Sequence, residues 1–296
     1  MNYDFYAKKY EHPNIHEWSQ YTILKCTRIG DRKQYIKSIR NYYKRNQIER
    51  YWSYTKWFIP NERDIPNKSI LIKIEFKLKK PFISSDDEQF WPNPGNPLCK
   101  DKILRIPYIR PSSWKGSLRS IIRDKLKKPG VVVERLLGSE RAKEELKRGR
   151  LSFYPTFLDN IDIDVIAPHD RATKAGKRGI SPIFLEVAPE NAKGTFSLLY
   201  FPFDLLGRDE EEVKEEIEQD LEVLKESIPA MLTKYGFGAK TTAGYGVVKK
   251  DIEFQILPGM NEKVKDEHFG EEESVFAREM DELIEKYGEK HEQRKN

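Results

Sequence analysis

The stretch KYGFGAKTTAGYGVV, residues 234–248, is the segment around which the rest of the chain is organised. Its four glycines accept positive φ angles and close backbone approach, and they surround a Lys-Thr-Thr core. Successive backbone amides in such a loop form a concave anion site, to which the lysine adds charge and the threonines add hydroxyl donors. The spacing differs from a P-loop and a predicted strand follows, which disfavours nucleotide hydrolysis. A glycine-rich hairpin with an exposed lysine is the alternative.

Composition sets the class of protein. The chain has 296 residues, of which 38% are hydrophobic, enough for one large domain or two small ones. Charged residues make up 34% of the chain, as on the surface of a thermophile protein, and the net charge is +5. Two cysteines form neither a disulfide framework nor a metal cluster. No apolar run is long enough for a membrane span and no signal peptide is visible, so we expect a cytoplasmic protein without a membrane partner.

Positive charge is concentrated at the beginning of the chain. Residues 1–60 carry twelve lysines and arginines against five acids, and the segment YKRNQIERYWSYTKWF, residues 43–58, interleaves cations with aromatic rings. Bases can stack on such rings while the cations neutralise phosphates. A helix that buries Tyr42, Tyr51, Trp52 and Trp57 in a core explains the pattern equally well, and both interpretations remain open.

From residue 69 onward the hydrophobic patterns predict a regular fold. The elements reduce to the order strand, helix, strand, strand, helix, strand, which is typical of a ferredoxin-like (RRM-like) α+β domain. The predicted strands are 69–78, 150–159, 181–187, 194–203 and 245–257, and the predicted helices are 112–126, 131–147 and 208–226. The last of these helices is strongly acidic, which indicates a solvated amphipathic helix that faces away from any phosphate.

Two loops carry further candidate chemistry. Residues 165–187 open with a flexible cationic loop that we expect to order on an anionic ligand; a merely solvated loop is the alternative. His169 lies in it and could act as an acid or base in metal-free RNA cleavage, although no second acid-base partner is evident. Asp86 and Asp87 are paired carboxylates in a Pro- and Asn-rich loop, a pattern that suits a divalent cation or a general base. The pair His12 and His16 lacks a third ligand, so no metal site is predicted.

Three segments resemble a known family. The stretch IPYIRPSSWKGSLR, residues 106–119, resembles the IPGSSLKGxLR motif of the RAMP superfamily of CRISPR-associated proteins. GFGAKTTAGYG, residues 236–246, resembles that superfamily's glycine-rich loop, and NPLCKD, residues 96–101, resembles a stretch of type III backbone subunits. The resemblance covers roughly residues 69–257 and implies a modified ferredoxin-like fold.

The resemblance also implies a function. A RAMP subunit binds guide RNA in a type III effector complex that recognises complementary invader RNA in antiviral defence. Its partners would be the guide and target RNAs, other RAMP subunits and the large signalling subunit. The chain would be a repeated backbone member or a member that caps one end. We therefore divide it into a basic aromatic-rich extension (1–66), a RAMP domain with inserted loops (67–257) and an acidic, helical tail (258–296).

A guide-binding protein should hold the RNA backbone and leave base edges free, because phosphate contacts carry no sequence information. Serines and a lysine at a helix N-terminus suit that role, since the free amides and the helix dipole attract anions. Trp114, at the head of an apolar stripe, is assigned mainly to the core. The predicted RNA-binding residues are Ser112, Ser113, Lys115, Arg119, His169, Arg171, Lys174, Lys177, Arg178, Gly238, Lys240, Thr241, Thr242 and Tyr245.

Catalysis is where the resemblance fails. In the RNA-cleaving backbone subunits an aspartate directly precedes the segment that NPLCKD resembles, whereas this chain has Gly95 at that position. Glycine can neither bind a metal nor accept a proton, so we expect a non-catalytic subunit that needs no cofactor. Cleavage with Mg²⁺ through Asp86 or Asp87 is the first alternative. A stand-alone endonuclease that processes guide precursors, using His169, is the second.

Overall fold

The computed structural model describes residues 37, 48–60, 65–66, 69–85, 96–139, 146–166, 183–208, 210–258, 278 and 280–282. The strands are β1 (Ile70–Lys77), β2 (Tyr108–Ile109), β3 (Leu151–Phe153), β4 (Thr156–Phe157), β5 (Asp162–Ile166), β6 (Ile183–Val187), β7 (Lys193–Tyr200) and β8 (Glu253–Pro258). The helices are α1 (Ile48–Tyr51), α2 (Pro111–Ser120), α3 (Gly130–Leu137) and α4 (Glu210–Pro229). Segments of 3-10 helix occur at Trp52–Phe58, Phe203–Leu205 and Thr241–Ala243, and π-helical turns extend α2 through Ile121–Lys125 and α4 through Ala230–Tyr235.

The main sheet confirms the predicted ferredoxin-like fold. Its four strands lie in the order β3-β7-β1-β8, and every neighbouring pair is antiparallel. Helix α2 lies between β1 and β3 in the chain, and α4 lies between β7 and β8. The first and last strands, β1 and β8, pair side by side, as the split βαβ order requires. The predicted strand 181–187 lies outside this sheet, because β6 pairs with β5 in a separate hairpin.

The alternation of β1 explains how the sheet is covered. Ile70, Ile72, Ile74 and Phe76 are buried in the main core, together with apolar residues of α2 and α4. On the other face Lys73 is half-buried and Glu75 and Lys77 are exposed, whereas Leu71 at the start of the strand is buried. This period of two is the pattern that a half-buried strand requires.

The helix predicted at residues 131–147 ends earlier than expected. Helix α3 stops at Leu137, and Gly138 follows it with φ 77°, a conformation that ordinary side chains resist. Gly149 packs against this end so closely that a Cβ atom there would lie 2.4 Å from the Gly138 nitrogen. The helical prediction failed because the apolar pattern does not reveal this close backbone contact.

A buried ion network joins β3, β7, α3 and α4. Its members are Arg135, Arg150, Tyr200, Asp204, Glu216 and Asp220. Arg150, only 2% exposed, donates from Nη1 to Asp220 (2.8 Å). Its Nη2 donates to Asp204 and Glu216, both at 2.6 Å. Burial alone would lower the pKa of the Arg150 guanidinium, but these hydrogen bonds outweigh burial and the pKa is raised.

Asp220 is the acidic centre of this network. Its fully buried carboxylate accepts hydrogen bonds from Arg135 Nε (2.8 Å) and from the Tyr200 hydroxyl (2.9 Å), besides that from Arg150. Helix α4 was predicted to be a solvated acidic helix, and its apolar stripe is buried as expected. One of its acids nevertheless lies in the interior, where paired charge is required.

Two global features complete the description. No helix within the described ranges is long and apolar enough to cross a membrane. Of the tail, Met280 is fully buried in the main core, and Lys225 of α4 bonds to Asp281. A terminal helix was predicted in the tail, and residues 278 and 280–282 are helical. The other residues of the tail after residue 258 lie outside the described part of the chain.

Candidate nucleic-acid interface

The glycine-rich loop follows α4 and has the conformation that its composition predicts. Its glycines all have positive φ: Gly236 (76°), Gly238 (83°), Gly244 (87°) and Gly246 (68°). At Gly246 a Cβ atom would lie 2.0 Å from the carbonyl oxygen of Phe237, so no other residue fits there without a backbone shift. Lys240 also adopts the left-handed conformation (φ 57°, ψ 31°) immediately before the Thr241–Ala243 turn. A left-handed residue followed by a helical turn directs successive amides to one side.

The tip of this loop is open to solvent. Lys240 and Thr242 are exposed and Thr241 is half-buried. The turn is closed by hydrogen bonds from the Ala243 amide to the Lys240 carbonyl oxygen and from the Gly244 amide to the Thr241 carbonyl oxygen, both 2.9 Å. Within the described ranges, no side chain accepts from the Lys240 ammonium or contacts the two threonine hydroxyls. The tip therefore offers a cation and two hydroxyl donors to a ligand.

The base of the loop is attached to the main body of the fold. Both of its arms hydrogen-bond to the chain that leaves β1. The Ala239 amide donates to the Ile83 carbonyl oxygen (2.9 Å), and the Gly246 amide donates to the Pro81 carbonyl oxygen (2.8 Å). At Gly238 a Cβ atom would lie 2.4 Å from the Phe82 ring, so this packing too depends on glycine. The base of the exposed tip is thus attached to the segment that follows β1, an interior strand of the main sheet.

Helix α2 begins one residue earlier than its serines suggested. The N-cap is Arg110, and Pro111 is the first helical residue, a position where its missing N–H costs nothing. Ser112 and Ser113 therefore lie inside the first turn, and both are exposed. The serine hydroxyls still lie at the positive end of the helix dipole, which attracts anions.

Two cations follow on the same helix. Lys115 is half-buried, and its burial, together with the charge of Arg119, lowers the pKa of its ammonium. No acid among the residues that the structure places contacts Lys115. Arg119 has a structural role that the sequence did not reveal, because its Nη2 donates to the carbonyl oxygens of Leu137 (2.8 Å) and Gly138 (3.1 Å). It closes the C-terminal end of α3, where unpaired carbonyls need donors.

An aromatic cluster joins the start of α2 to the glycine-rich loop. Trp114 is fully buried, which confirms its assignment to the core, and its Nε1 donates to Thr156 Oγ1 (2.9 Å). Its ring centroid lies 4.4 Å from that of Phe237, within the loop, and 4.8 Å from that of Phe196 on β7. Phe76 of β1 contacts both Trp114 and Phe237. The two predicted RNA-binding loops, more than a hundred residues apart in sequence, are therefore neighbours.

Tyr245 links the loop to the β5–β6 hairpin. Its hydroxyl donates to Asp164 Oδ2 on β5 (2.7 Å). Burial, reinforced by this bond and by the Asp164 charge, raises the pKa of Tyr245 to about 12. The hydroxyl is thus already engaged within the protein. The connection between β5 and β6 carries the remaining predicted RNA-binding residues, His169, Arg171, Lys174, Lys177 and Arg178, which lie outside the described residues.

The NPLCKD segment is attached to β6 through a buried acid. Glu186 Oε2 accepts from the Leu98 amide (3.0 Å) and from Lys100 Nζ (2.7 Å). Burial raises the pKa of Glu186 to about 8, and the hydrogen bond from the Leu98 amide opposes that rise. The Lys100 ammonium, 2.7 Å from the Glu186 carboxylate, also favours the ionised form. Asp101 shapes the following turn, because its Oδ1 accepts from two backbone amides. Sequence reasoning missed Glu186, although a single acid inside the apolar strand IFLEV was a usable signal.

The proposed catalytic residues cannot be placed. Asp86, Asp87 and Gly95 lie in residues 86–95, outside the described part of the chain. Among the residues that are described, no group of three or more His, Cys, Asp or Glu side chains could hold a metal ion. Cleavage and any need for Mg²⁺ therefore stay predictions.

Comparisons with known proteins bear on the same region. The family model for the RAMP superfamily matches residues 92–249, a range that contains α2 and the glycine-rich loop. The chain is similar to the CRISPR system Cms endoribonuclease Csm3 of Streptococcus thermophilus, with 27% identity over 162 residues that cover 52% of this chain and 73% of that protein.

Two solved structures of the type III-B Cmr-β complex contain chains that align with part of this one. In the complex bound to cognate target RNA, the TM-score is 0.45 at 19% identity, and the match covers 65% of this chain and 62% of that chain. In the apo state, the TM-score is 0.44 at 11% identity, with 62% of this chain and 97% of that chain covered.

Proposed function

Because the chain belongs to the RAMP superfamily, we propose that it is a guide-RNA-binding subunit of a type III CRISPR ribonucleoprotein that recognises complementary invader RNA. Its partners are the guide RNA, the complementary target RNA and other protein subunits of the complex, including further RAMP subunits and the large signalling subunit. The name of the Streptococcus relative supports the assignment to a CRISPR system.

The contact between Trp114 and Phe237 is the observation that carries this proposal. It packs the N-terminal turn of α2 against the glycine-rich loop, which supports a shared RNA-binding surface. Each contributes a lysine that no described acid neutralises, Lys115 and Lys240. Backbone amides, hydroxyls and ammonium groups are the donors that hold phosphates without reading sequence. A subunit that presents a guide for base pairing needs this kind of contact.

Replacing Lys115 or Lys240 by alanine should weaken the binding of single-stranded RNA of any sequence. Each lost phosphate contact reduces the slope of log affinity against log salt by roughly 0.7, which corresponds to about a fivefold loss of affinity at 0.1 M salt. Fluorescence anisotropy of labelled RNA at several salt concentrations measures both quantities. Lys214→Ala is the matched control, because this lysine lies on the acidic helix α4. Wild-type affinity and slope in both variants would contradict the proposed function.

A second function, cleavage of the target RNA, is favoured by one observation: the Streptococcus relative is named an endoribonuclease. If the chain cleaves, purified protein with guide and complementary RNA should cut only with Mg²⁺, and Asp86→Ala or Asp87→Ala should abolish cutting. Cutting of unpaired repeat RNA without metal, lost in His169→Ala, would instead indicate guide processing. Because Gly95 replaces the expected aspartate, we expect no cutting in either assay, measured by gel electrophoresis of labelled RNA.

A further inference from the structure

An aromatic ledge, defined as Tyr54, Trp57 and Phe58, lies on the 3-10 turn that follows α1. All three side chains are exposed, and Trp57 is 80% exposed. The Tyr54 ring stands perpendicular to the Trp57 ring at a centroid distance of 5.2 Å. A core role for Trp57, one of the two interpretations of the sequence, is therefore wrong. Clustered exposed rings of this size indicate a binding surface.

The ledge is held in place beside the candidate interface. Phe58 packs on Phe157 of β4 (5.1 Å), and Phe157 stacks on Tyr108 of β2 (5.8 Å, 26° between ring planes). Tyr108 lies two residues before Arg110, the N-cap of α2. The ring contacts thus connect the ledge to β2, and the chain leads from β2 directly into α2, where the candidate interface begins.

The charge of the segment that carries the ledge favours one type of ligand. Residues 51–60 contain one charged side chain, Lys56, which is exposed, and no acid. Protein-binding surfaces are depleted of lysine. An exposed aromatic ring beside a cation is instead the combination that binds single-stranded nucleic acid, since each base stacks on a ring and its phosphate meets the cation.

We propose that the ledge is a stacking platform for an unpaired base of the RNA held by Lys115 and Lys240. The base lies on the face of Trp57, and Lys56 contacts the adjoining phosphate. This inference rests on the proposed function and adds a third contact, one that recognises a base plane instead of the backbone. Its ligand class is therefore single-stranded RNA with at least one base free of pairing.

The test compares two probes: an oligouridylate of about 15 nucleotides and an abasic ribose-phosphate strand of equal length. Trp57→Ala should weaken oligouridylate binding by about 5- to 100-fold, because stacking of one base contributes that much. The salt slope should not change, since no phosphate contact is lost. Affinity for the abasic strand should stay at the wild-type value. Trp57→Phe should retain most of the affinity, and Leu206→Ala, which truncates another apolar side chain (54% exposed), should retain all of it.

The outcomes separate this inference from the proposed function. If Lys115→Ala and Lys240→Ala weaken binding but Trp57→Ala does not, the stacking platform is refuted and guide binding stands. If none of the three variants changes RNA affinity, both proposals fail. A ledge used for self-association would give a wild-type dimer and a Trp57→Ala monomer in sedimentation, with equal RNA affinity, and that result would also overturn the inference. Circular dichroism should show all variants folded, because exposed side chains contribute little to stability.

Discussion

Arg150→Met should lower the free energy of unfolding by about 3–5 kcal/mol, the cost of removing one partner from a buried ion pair. Methionine fills much of the same space but leaves the fully buried Asp220 carboxylate without one of its two cations. It also removes the donor to Asp204, in the Phe203–Leu205 turn that precedes α4, and to Glu216, in the second turn of α4. The network would lose the residue that connects β3 to this helix.

Urea denaturation followed by circular dichroism measures the change as a lower transition midpoint. The matched control is Arg123→Met, in which the same chemical change breaks the Arg123–Asp124 pair, with side chains 52% and 44% exposed. Solvent screens such a pair, so this variant should lose less than about 1 kcal/mol. Equal losses in the two variants would show that the buried network does not stabilise the fold.

Trp114→Ala should lower stability by about 3–5 kcal/mol and weaken RNA binding, although it removes no charge. The stability falls because the indole is fully buried and contacts the rings of Phe76, Phe196 and Phe237. RNA affinity falls because the same ring sets the spacing between the first turn of α2 and the glycine-rich loop. Affinity must be measured at a temperature where the variant is more than about 95% folded, so that unfolding does not imitate weak binding.

Trp114→Phe is the control for this prediction. It keeps an aromatic ring against Phe237 but removes the hydrogen bond to Thr156. We expect a smaller stability loss, since a single hydrogen bond contributes about 1 kcal/mol, and near-wild-type RNA affinity. A folded Trp114→Ala protein with wild-type affinity would mean that the two loops bind RNA independently of each other.

The sequence predicted the elements whose side chains follow a simple period. Strand β1 alternates, α2 and α4 carry apolar stripes, and the glycines around Lys240 require a turn. The order of these elements was enough to predict the ferredoxin-like sheet. That α2 and the glycine-rich loop serve one RNA-binding role was predicted only through the resemblance of their two motifs to the RAMP superfamily. Neither motif by itself predicts that the two segments are in contact.

Other features depend on contacts that no local pattern contains. Arg119 was predicted to contact RNA, but its use as a cap for α3 depends on where Leu137 ends that helix. Arg150 and Asp220 are seventy residues apart and look like ordinary surface charges until the fold brings them together. Trp57 could not be assigned for a different reason. An aromatic residue in a basic segment fits a core or a surface equally well, and only the structure shows that this ring is exposed.

The attachment of residues 96–101 to β6 has a consequence for engineering. On one side of residues 86–95 the Phe82 amide and carbonyl pair with Ala188, and on the other the Asn96 carbonyl accepts from the Glu186 amide. The chain on both sides of residues 86–95 is therefore held by backbone hydrogen bonds to the same short β5–β6 hairpin. Residues 86–95 can consequently be treated as an exchangeable cassette, into which a glycine-serine linker or an aspartate-bearing loop is grafted while the scaffold that holds the junctions is kept.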